Sequence, residues 1–358
     1  MPKLLLLVHG MGRHKPTWAD DTTKQLVGFS TTYQYRWFEQ NGTLDQHVSI
    51  VPVTYDAVFA KYMKKWGKTS EDLRTKAAEF GVSIPNVLGW LERADEEENN
   101  FFWSHVVDVV LYRFFSIVTA EVRLRVREAI AVELQKAKDD GGIDEASVLA
   151  HSLGTAVTHD SLALLGSHPI PTRDGPNEAF MAGNHKFANV FMCANVSRVL
   201  ETDPKVYRSV VHPTTGGEGP AYVEAYYNFR HFVDPFTVVK EFAPVGWGDG
   251  YHGGDECKRF LAFNIHGLDE YLADPRVHVP ILRRLVGPWA VSEQEERDAK
   301  VAYDGLPELP CVEVVRRFRQ DADRVIALAR VGADPETLVI AGTQFLAAAK
   351  RGHDECMS

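Results

Sequence analysis

The 358-residue sequence predicts a doubly wound α/β fold, with a mostly parallel sheet of about six strands flanked by helices. Three observations predict it. Short apolar runs alternate with longer helix-like segments. Two of the runs, Leu4–Val8 and Ala146–Ala150, end directly at turns rich in small residues. Hydrophobic residues make up 45% of the chain, which is enough apolar surface for one large core.

The strands are predicted from the apolar runs themselves. Leu4–Val8 is continuously apolar, as expected of a central strand buried on both faces. Pro52 weakens the second run locally. The six predicted strands are Leu4–Val8, Val48–Tyr55, Ala146–Ala150, Phe187–Cys193, Tyr222–Tyr227 and Arg259–Asn264. Helical character is predicted for Thr17–Gln40, Ser104–Lys138 and Leu153–Leu165.

Two segments fall outside a minimal fold of this class. Residues 57–103 carry three tryptophans and the acidic run DEEENN, and we interpret them as a helical insertion or cap within a domain spanning 1–289. Residues 290–358 are predicted to form a helical C-terminal appendage, with VEVVRRFRQDADRVIALA as its most amphipathic stretch.

Charge and apolar length exclude some classes of protein. The formal net charge of −10 argues against a dedicated nucleic-acid binder, which should present a basic face. The apolar stretch 105–120 is interrupted by Asp108 and Arg113, so it is a poor membrane span, although peripheral membrane contact stays open. The N-terminal run is too short for a signal peptide.

The cysteines favour a reducing compartment. They are scattered with no CxxC spacing, which suggests neither a disulfide framework nor a zinc cluster. Reduced thiols, and hence a cytoplasmic location, are expected. The four are Cys193, Cys257, Cys311 and Cys356.

The most informative motif is the pentapeptide Ala150-His151-Ser152-Leu153-Gly154. A predicted strand leads into it and a predicted helix leaves it, which is the context of a nucleophile elbow. Small residues stand two positions before and two after Ser152, as so tight a turn requires. An N-capping serine is the alternative interpretation. The elbow predicts Ser152 as a nucleophile at a helix N-terminus.

The loop after the first strand, Val8-His9-Gly10-Met11-Gly12, is predicted to complete an oxyanion hole. Its glycines allow the main chain to approach a substrate closely. The N–H groups of Met11 and Leu153 are the predicted donors, since donors of this kind flank an elbow. His9 is expected to brace the loop rather than act as a base.

A serine nucleophile needs a base and an orienting carboxylate, which in this fold follow it in the order acid, then histidine. Asp234 follows the strand-like YVEAYYNF, and Pro235 suits a turn or helix start. Asp160, within the helix after the elbow, is wrongly placed for this role. Asp203, which also precedes a proline, stays as a weaker alternative.

His266 is the predicted base because it lies just past the last predicted strand. His252, in the glycine-rich GDGYHGG, is its main rival. His278 comes late in the chain, and His231 immediately precedes the acid loop. The order Ser152, Asp234, His266 is that of a serine hydrolase triad.

These motifs resemble the serine lipase and esterase branch of the α/β-hydrolase superfamily. VHGMG resembles its oxyanion loop, and AHSLGTAVTHDSL its elbow and following helix. DVVLY…VREAIAVEL, YNFRHFVDPF and HGLDEYL resemble segments of DDHD-type phospholipases and related bacterial hydrolases. The sequence departs from the pattern at Ala150, where glycine is common, and at CANVSR, where relatives carry Gly-Ser-Pro.

The resemblance implies an ester or lipid hydrolase that needs no cofactor and no metal. With the triad, it predicts a serine carboxylic-ester hydrolase for an apolar acyl substrate. A thioesterase, amidase or acyltransferase using the same triad is one alternative. A catalytically silent hydrolase-like binding or scaffold module is the other.

Overall fold

The computed structural model contains a six-stranded, all-parallel sheet with helices on both faces, which confirms the predicted α/β class. The structure describes residues 3–15, 17–139, 142, 145–167, 171–172, 175–176, 186–200, 211–213, 221–232, 234–238, 240–257, 259, 261 and 263–357. All structural statements below refer to these residues.

The sheet has the strand order β2-β1-β3-β6-β7-β8, and a separate two-stranded antiparallel sheet is formed by β4 and β5. The strands are β1 Lys3–Val8, β2 Val48–Val53, β3 Ala146–His151, β4 Pro171–Thr172, β5 Gly175–Pro176, β6 Phe187–Cys193, β7 Val223–His231 and β8 Tyr251–Cys257.

Helices connect and cover these strands. They are α1 Trp18–Thr32, α2 Arg36–Asn41, α3 Asp56–Trp66, α4 Ser70–Glu79, α5 Pro85–Leu91, α6 Glu96–Phe101, α7 Val107–Phe114, α8 Ser116–Asp139, α9 Leu153–Ser167, α10 Ser197–Leu200, α11 Pro235–Val238, α12 Leu268–Ala273, α13 Pro275–Leu285, α14 Glu293–Asp304, α15 Val312–Arg330 and α16 Pro335–Met357. A π-helical turn, Phe102–Val106, joins α6 to α7.

The central strand β1 supplies both faces of the core. Leu4 and Leu6 pack into one hydrophobic cluster, with α3, α5 and α7–α9. Leu5 and Leu7 pack into the opposite cluster, with α1 and α12–α14. Because successive side chains of a strand point to opposite faces, a strand covered on both sides must be continuously apolar. The Leu4–Val8 run is the sequence signature of this position.

The strand order places a crevice at the carboxyl end of β1. The chain passes from β1 to β2 on one side, and β3 then lies on the other side of β1. The helices that follow β1 and β3, α1 and α9, lie on opposite faces of the sheet, and such switch points are where parallel sheets bind ligands. Val8 pairs with Ala150, so the two strands end side by side.

The prediction of Arg259–Asn264 as the last strand is wrong. Its described residues lie outside any strand, and the last strand is β8, Tyr251–Cys257, at the edge of the sheet. β8 (YHGGDEC) is polar and glycine-rich because only one neighbour, β7, pairs with it. Phe263 is apolar for another reason, since it packs with Phe318 of α15 and Phe345 of α16.

The C-terminal helices α15 and α16 form an antiparallel pair. Cys311, at the start of α15, and Cys356, near the end of α16, lie at the same end of the pair and form a disulfide with their Cα atoms 5.7 Å apart. The prediction of unpaired thiols is therefore wrong for these two, while Cys193 and Cys257 are free and buried. The pairing follows from the helix hairpin, which a separation of 45 residues does not reveal.

The helix predicted over 104–138 is broken at Phe115, where α7 and α8 meet. Among the described residues, no single helix has the length and apolar character needed to cross a membrane. Glu96–Phe114 and Ser116–Asp139 satisfy the length and composition criteria only as a pair, bent by 101°.

Helix α16 is anchored to the 57–103 segment by Glu336. Its Oε2 accepts a hydrogen bond of 3.0 Å from the Val87 N–H, a buried group in the first turn of α5. That N–H has no partner within its own helix. We expect Glu336→Ala to lower the free energy of unfolding by about 1–3 kcal/mol, because it leaves this donor buried and unpaired.

Urea denaturation of the two proteins measures this difference. Glu313→Ala is the matched control, since Glu313 is exposed and pairs only with Arg316 on the same helix surface. Equal losses in the two variants would show that Glu336 does not anchor α16.

Candidate active site

Ser152 stands at a sharp turn between β3 and α9. Its φ of +51° lies in the left-handed region, which is uncommon for a residue other than glycine. The turn is held by the Ser152 N–H, which donates to the Cys193 carbonyl on β6 over 3.1 Å. Backbone strain of this kind, on the order of 1–3 kcal/mol, is concentrated at functional sites. The turn at residues 150–154, here the elbow, therefore joins β3 directly to α9 through one residue in the left-handed region.

The glycines around the elbow are required by contact between two loops. A Cβ on Gly154 would lie 2.2 Å from the His9 carbonyl oxygen, and one on Gly10 would lie 2.9 Å from His151 Nδ1 and 3.0 Å from Ser152 Cβ. The loop after β1 (residues 9–14, here the β1 loop) thus packs directly on the elbow. Neither contact leaves room for a side chain.

Ser152, His266 and Asp234 form one hydrogen-bonded chain. The Ser152 Oγ lies 2.7 Å from His266 Nε2, and His266 Nδ1 lies 2.8 Å from Asp234 Oδ2. Asp234 lies between β7 and α11, and His266 between β8 and α12, so all three are at the carboxyl edge of the sheet. Their exposed fractions are 1%, 5% and 0% respectively. With Nδ1 donating to the carboxylate, Nε2 can accept the serine proton.

The Asp234 carboxylate has two further donors. The Tyr271 hydroxyl donates to Oδ2 over 3.0 Å, and the Phe236 N–H donates to Oδ1 over 3.1 Å. The Tyr271 hydroxyl in turn accepts the His231 N–H. Burial and the nearby Asp234 raise the pKa of Tyr271 well above its usual value, so the hydroxyl remains a donor. The carboxylate is held in place from three sides.

His151 connects the elbow to the loop that carries His266. Its Nε2 donates to the His266 carbonyl over 2.5 Å. Burial lowers the pKa of His151 to about 3, so the ring is neutral and adds no positive charge beside His266. No local sequence pattern indicates this contact, which joins residues 115 positions apart.

The β1 loop is braced from several directions. His9 Nδ1 donates to the Gly10 carbonyl over 2.8 Å, and the Tyr55 hydroxyl donates to the His9 carbonyl over 2.7 Å. Met11 and Leu153, whose N–H groups are the predicted oxyanion donors, line the same pocket as Ser152.

Asp108 also holds the β1 loop, a role that sequence reasoning missed. Asp108 lies on α7, and its Oδ2 accepts a hydrogen bond of 3.1 Å from the Gly12 N–H. Burial raises the pKa of Asp108 to about 7. In the sequence, Asp108 is the one carboxylate in the apolar stretch 105–120. That pattern argues against a membrane span but does not indicate which group the carboxylate binds.

An apolar pocket opens beside Ser152. It encloses about 580 Å³ of space, its open mouth included. Two groups of residues line it, one from the sheet edge and α7 and the other from the C-terminal helices. They are Met11, Val106, Val109, Ser152, Leu153, Val196, Val199, Leu200 and Phe236, and Val325, Leu338, Val339, Gly342, Thr343 and Leu346. None of the lining residues belongs to 57–103.

Of the rival acids, Asp160 has other partners. Asp160 forms an ion pair with Arg123 and accepts a hydrogen bond from the Tyr112 hydroxyl. Asp203 lies outside the described residues.

The rival bases have other partners. His252 belongs to β8 rather than to a loop, and its ring stacks on Tyr227 with centroids 4.4 Å apart. His278 Nε2 lies 2.9 Å from the Tyr35 hydroxyl on the opposite side of the sheet. His231 Nε2 lies 2.8 Å from a backbone carbonyl.

One group of metal-ligating side chains occurs among the described residues. The ligand atoms of His9, His14 and Asp56 all lie within 4.8 Å of one another, beside the β1 loop.

Comparison with protein families, with curated proteins and with solved structures gives no match to this chain. Fold and site geometry are therefore the basis for a functional conclusion.

The raised pKa of Asp108 predicts a pH-dependent stability. The folded state binds this proton more tightly than the unfolded state, whose carboxyl has a pKa near 3.8. The ionised form therefore destabilises the fold, and stability is lost as pH rises from about 4 to about 7. We expect the free energy of unfolding of Asp108→Asn to exceed that of the parent by about 2–4 kcal/mol at pH 8 and by much less at pH 4.5.

Urea denaturation at the two pH values tests this expectation, with the exposed Asp323→Asn as control. The asparagine can still accept the Gly12 N–H. A gain that is the same at both pH values would contradict ionisation of Asp108 in this range.

Proposed function

We propose that the protein is a serine carboxylic-ester hydrolase of the α/β-hydrolase type. The observation that carries the proposal is the hydrogen-bonded chain from Ser152 through His266 to Asp234. Its chain order, Ser then Asp then His, is that of α/β-hydrolases. The left-handed φ of Ser152, directly before α9, supports a nucleophile elbow.

The chemistry follows from the order of the hydrogen bonds. Ser152 Oγ attacks the ester carbonyl while its proton passes to His266 Nε2, and Asp234 stabilises the imidazolium. His266 gives that proton to the departing alkoxide, which leaves as an alcohol, and an acyl-serine remains. Water then loses a proton to His266 and attacks the acyl carbon, releasing a carboxylic acid and restoring Ser152.

The negative charge of the tetrahedral intermediate needs two N–H donors. Met11 and Leu153 line the pocket together with Ser152, one on the β1 loop and one at the start of α9. The N-terminus of a helix carries a partial positive charge that favours an oxyanion. Asp108 and Tyr55 contribute indirectly, since they hold the β1 loop in place.

The lining of the pocket favours an apolar acyl chain. Apart from Ser152 and Thr343, the lining side chains are apolar or glycine. Each methylene group transferred from water into such a pocket gains about 0.8 kcal/mol. An ester of a medium or long fatty acid would therefore bind better than an acetate.

We expect α15 and α16 to control access to Ser152. The serine is 1% exposed, and Val325, Gly342 and Leu346 of these helices line the pocket beside it. Gly342 has no room for a larger side chain, because a Cβ there would lie 2.5 Å from the Phe236 ring. The C-terminal helices are thus part of the substrate site in this proposal.

A fluorophosphonate probe tests the nucleophile. We expect the wild type to be labelled at one site, and Ser152→Ala to be unlabelled and to lose at least about 10⁴-fold in kcat on ester substrates. Ser83→Ala, at an exposed serine outside the site, should label as the wild type does. An unlabelled wild type, or labelling that survives in Ser152→Ala, would refute the proposal and favour a catalytically silent module.

A panel of substrates shows which type of bond the protein cleaves. Nitrophenyl esters of two to sixteen carbons should show kcat/KM rising with chain length until the pocket is filled. The corresponding thioesters and anilides, with and without an added alcohol acceptor, separate an esterase from a thioesterase, an amidase and an acyltransferase.

Tyr271 is a positioning residue in this mechanism. We expect Tyr271→Phe to lower kcat by about tenfold or more with little change in KM, because it removes one hydrogen bond to the Asp234 carboxylate. Steady-state kinetics with the best ester of the panel measures the two constants. Tyr303→Phe, a buried tyrosine away from the triad, is the control. A rise in KM alone would show that Tyr271 acts on binding.

A further inference from the structure

A second cluster of functional groups lies on the β1 loop, apart from the triad. His9 and His14 belong to the loop, and Asp56 begins α3. His9 Nε2 lies 3.3 Å from Asp56 Oδ1, and the two imidazole rings have centroids 4.2 Å apart. One ligand atom from each residue lies within 4.8 Å of the other two.

The tautomer of His9 places two hydrogen-bond acceptors opposite each other, His9 Nε2 and Asp56 Oδ1. Its Nδ1 lies 2.8 Å from the Gly10 carbonyl, so Nδ1 carries the proton and Nε2 has a lone pair. The lone pair of Nε2 therefore faces an oxygen of Asp56. The Tyr55 N–H, at 3.5 Å from Nε2, is only a weak donor to it.

The other two groups are also unsatisfied. Within the described part of the chain, neither His14 Nε2 nor Asp56 Oδ1 has a hydrogen-bond partner, and both atoms are buried. Buried polar atoms in native proteins nearly always have a partner, which can be an ion. These two atoms converge with the lone pair of His9 Nε2, and a positive ion between them would satisfy all three.

We propose that the imidazoles of His9 and His14 and the carboxylate of Asp56 bind a divalent transition-metal ion of the Zn²⁺ type. Two neutral imidazoles and one carboxylate are a common zinc ligand set, and water completes a tetrahedron. Metal–ligand bonds of about 2.0–2.2 Å place two donors of a tetrahedron about 3.3 Å apart, which is the separation of His9 and Asp56. Nitrogen ligands select against Ca²⁺ and Mg²⁺.

The surroundings hold the ligands as a metal site requires. The hydrogen bond from His9 Nδ1 to the Gly10 carbonyl fixes the ring and its tautomer. Asp56 Oδ2 accepts the His14 N–H over 3.3 Å, which orients the carboxylate. The ion would tie the β1 loop to the start of α3 and stabilise that loop.

Metal binding is measured without substrate, so the result does not depend on the proposed hydrolase activity. The full-length protein is prepared without a histidine tag, stripped with a chelator, equilibrated with ZnCl₂ and desalted. We expect one zinc per chain by elemental analysis. We also expect the Tm to rise by about 3–5 °C at a hundredfold excess of free Zn²⁺ over Kd, and no rise with Ca²⁺ or Mg²⁺.

Two variants decide whether these residues hold the ion. Asp56→Asn keeps the side-chain shape, and His14→Ala removes a ligand without altering the His9 hydrogen bond. Each should lose bound zinc and the Tm rise, whereas His353→Ala, at an exposed histidine on α16, should keep both. Zinc retained by both ligand variants, or a wild type that binds none, would overturn the proposal. In the second case Asp56 would carry the bridging proton instead. Circular dichroism checks folding, and Asp56→Asn remains decisive if His14→Ala does not fold.

Discussion

The contact between the β1 loop and the elbow constrains the rest of the site. β1 and β3 are adjacent and end at the same level, so their loops must cross the carboxyl edge of the sheet within contact distance. Gly10 and Gly154 allow this, because a Cβ on either would overlap the opposite loop. Ser152 is consequently held in a left-handed conformation directly beside the backbone of the β1 loop. The pocket, the hydrogen-bonded chain and the His9 cluster are all arranged around this contact.

Hydrogen bonds on two sides support that contact. On one side, Tyr55 and Asp108 bind the backbone of the β1 loop, so the helical layer over the sheet fixes the loop. On the other side, His151 binds the backbone of the segment that carries His266. The buried carboxyl of Asp108 costs stability at neutral pH. A local cost of this kind is typical of groups that position a functional site.

The sequence was most informative where neighbouring residues determine the structure. The turn at Ser152 could be predicted because strand, turn and helix follow one another within a few residues. The approach of Asp234 and His266 to Ser152 was expected from the order in which a hydrolase carries such residues along its chain. The last strand was misplaced, since an edge strand needs little apolar character and Phe263 is apolar for contact with α15. The roles of Asp108, His151 and Tyr271 depend on contacts across 96, 115 and 37 residues, which no local pattern contains.

Burial of Ser152 beneath α15 and α16 has a kinetic consequence. Glu336 and the Cys311–Cys356 disulfide both restrain this helix pair, so an open form, with the pair displaced from Ser152, would be a minor population. If one molecule in about a hundred is open, every ligand binds with an apparent affinity about a hundredfold below its intrinsic value. A partner or surface that binds the displaced helices would raise the fraction of open molecules. The turnover of the proposed hydrolase would then depend on α15 and α16, although neither helix carries a reacting group.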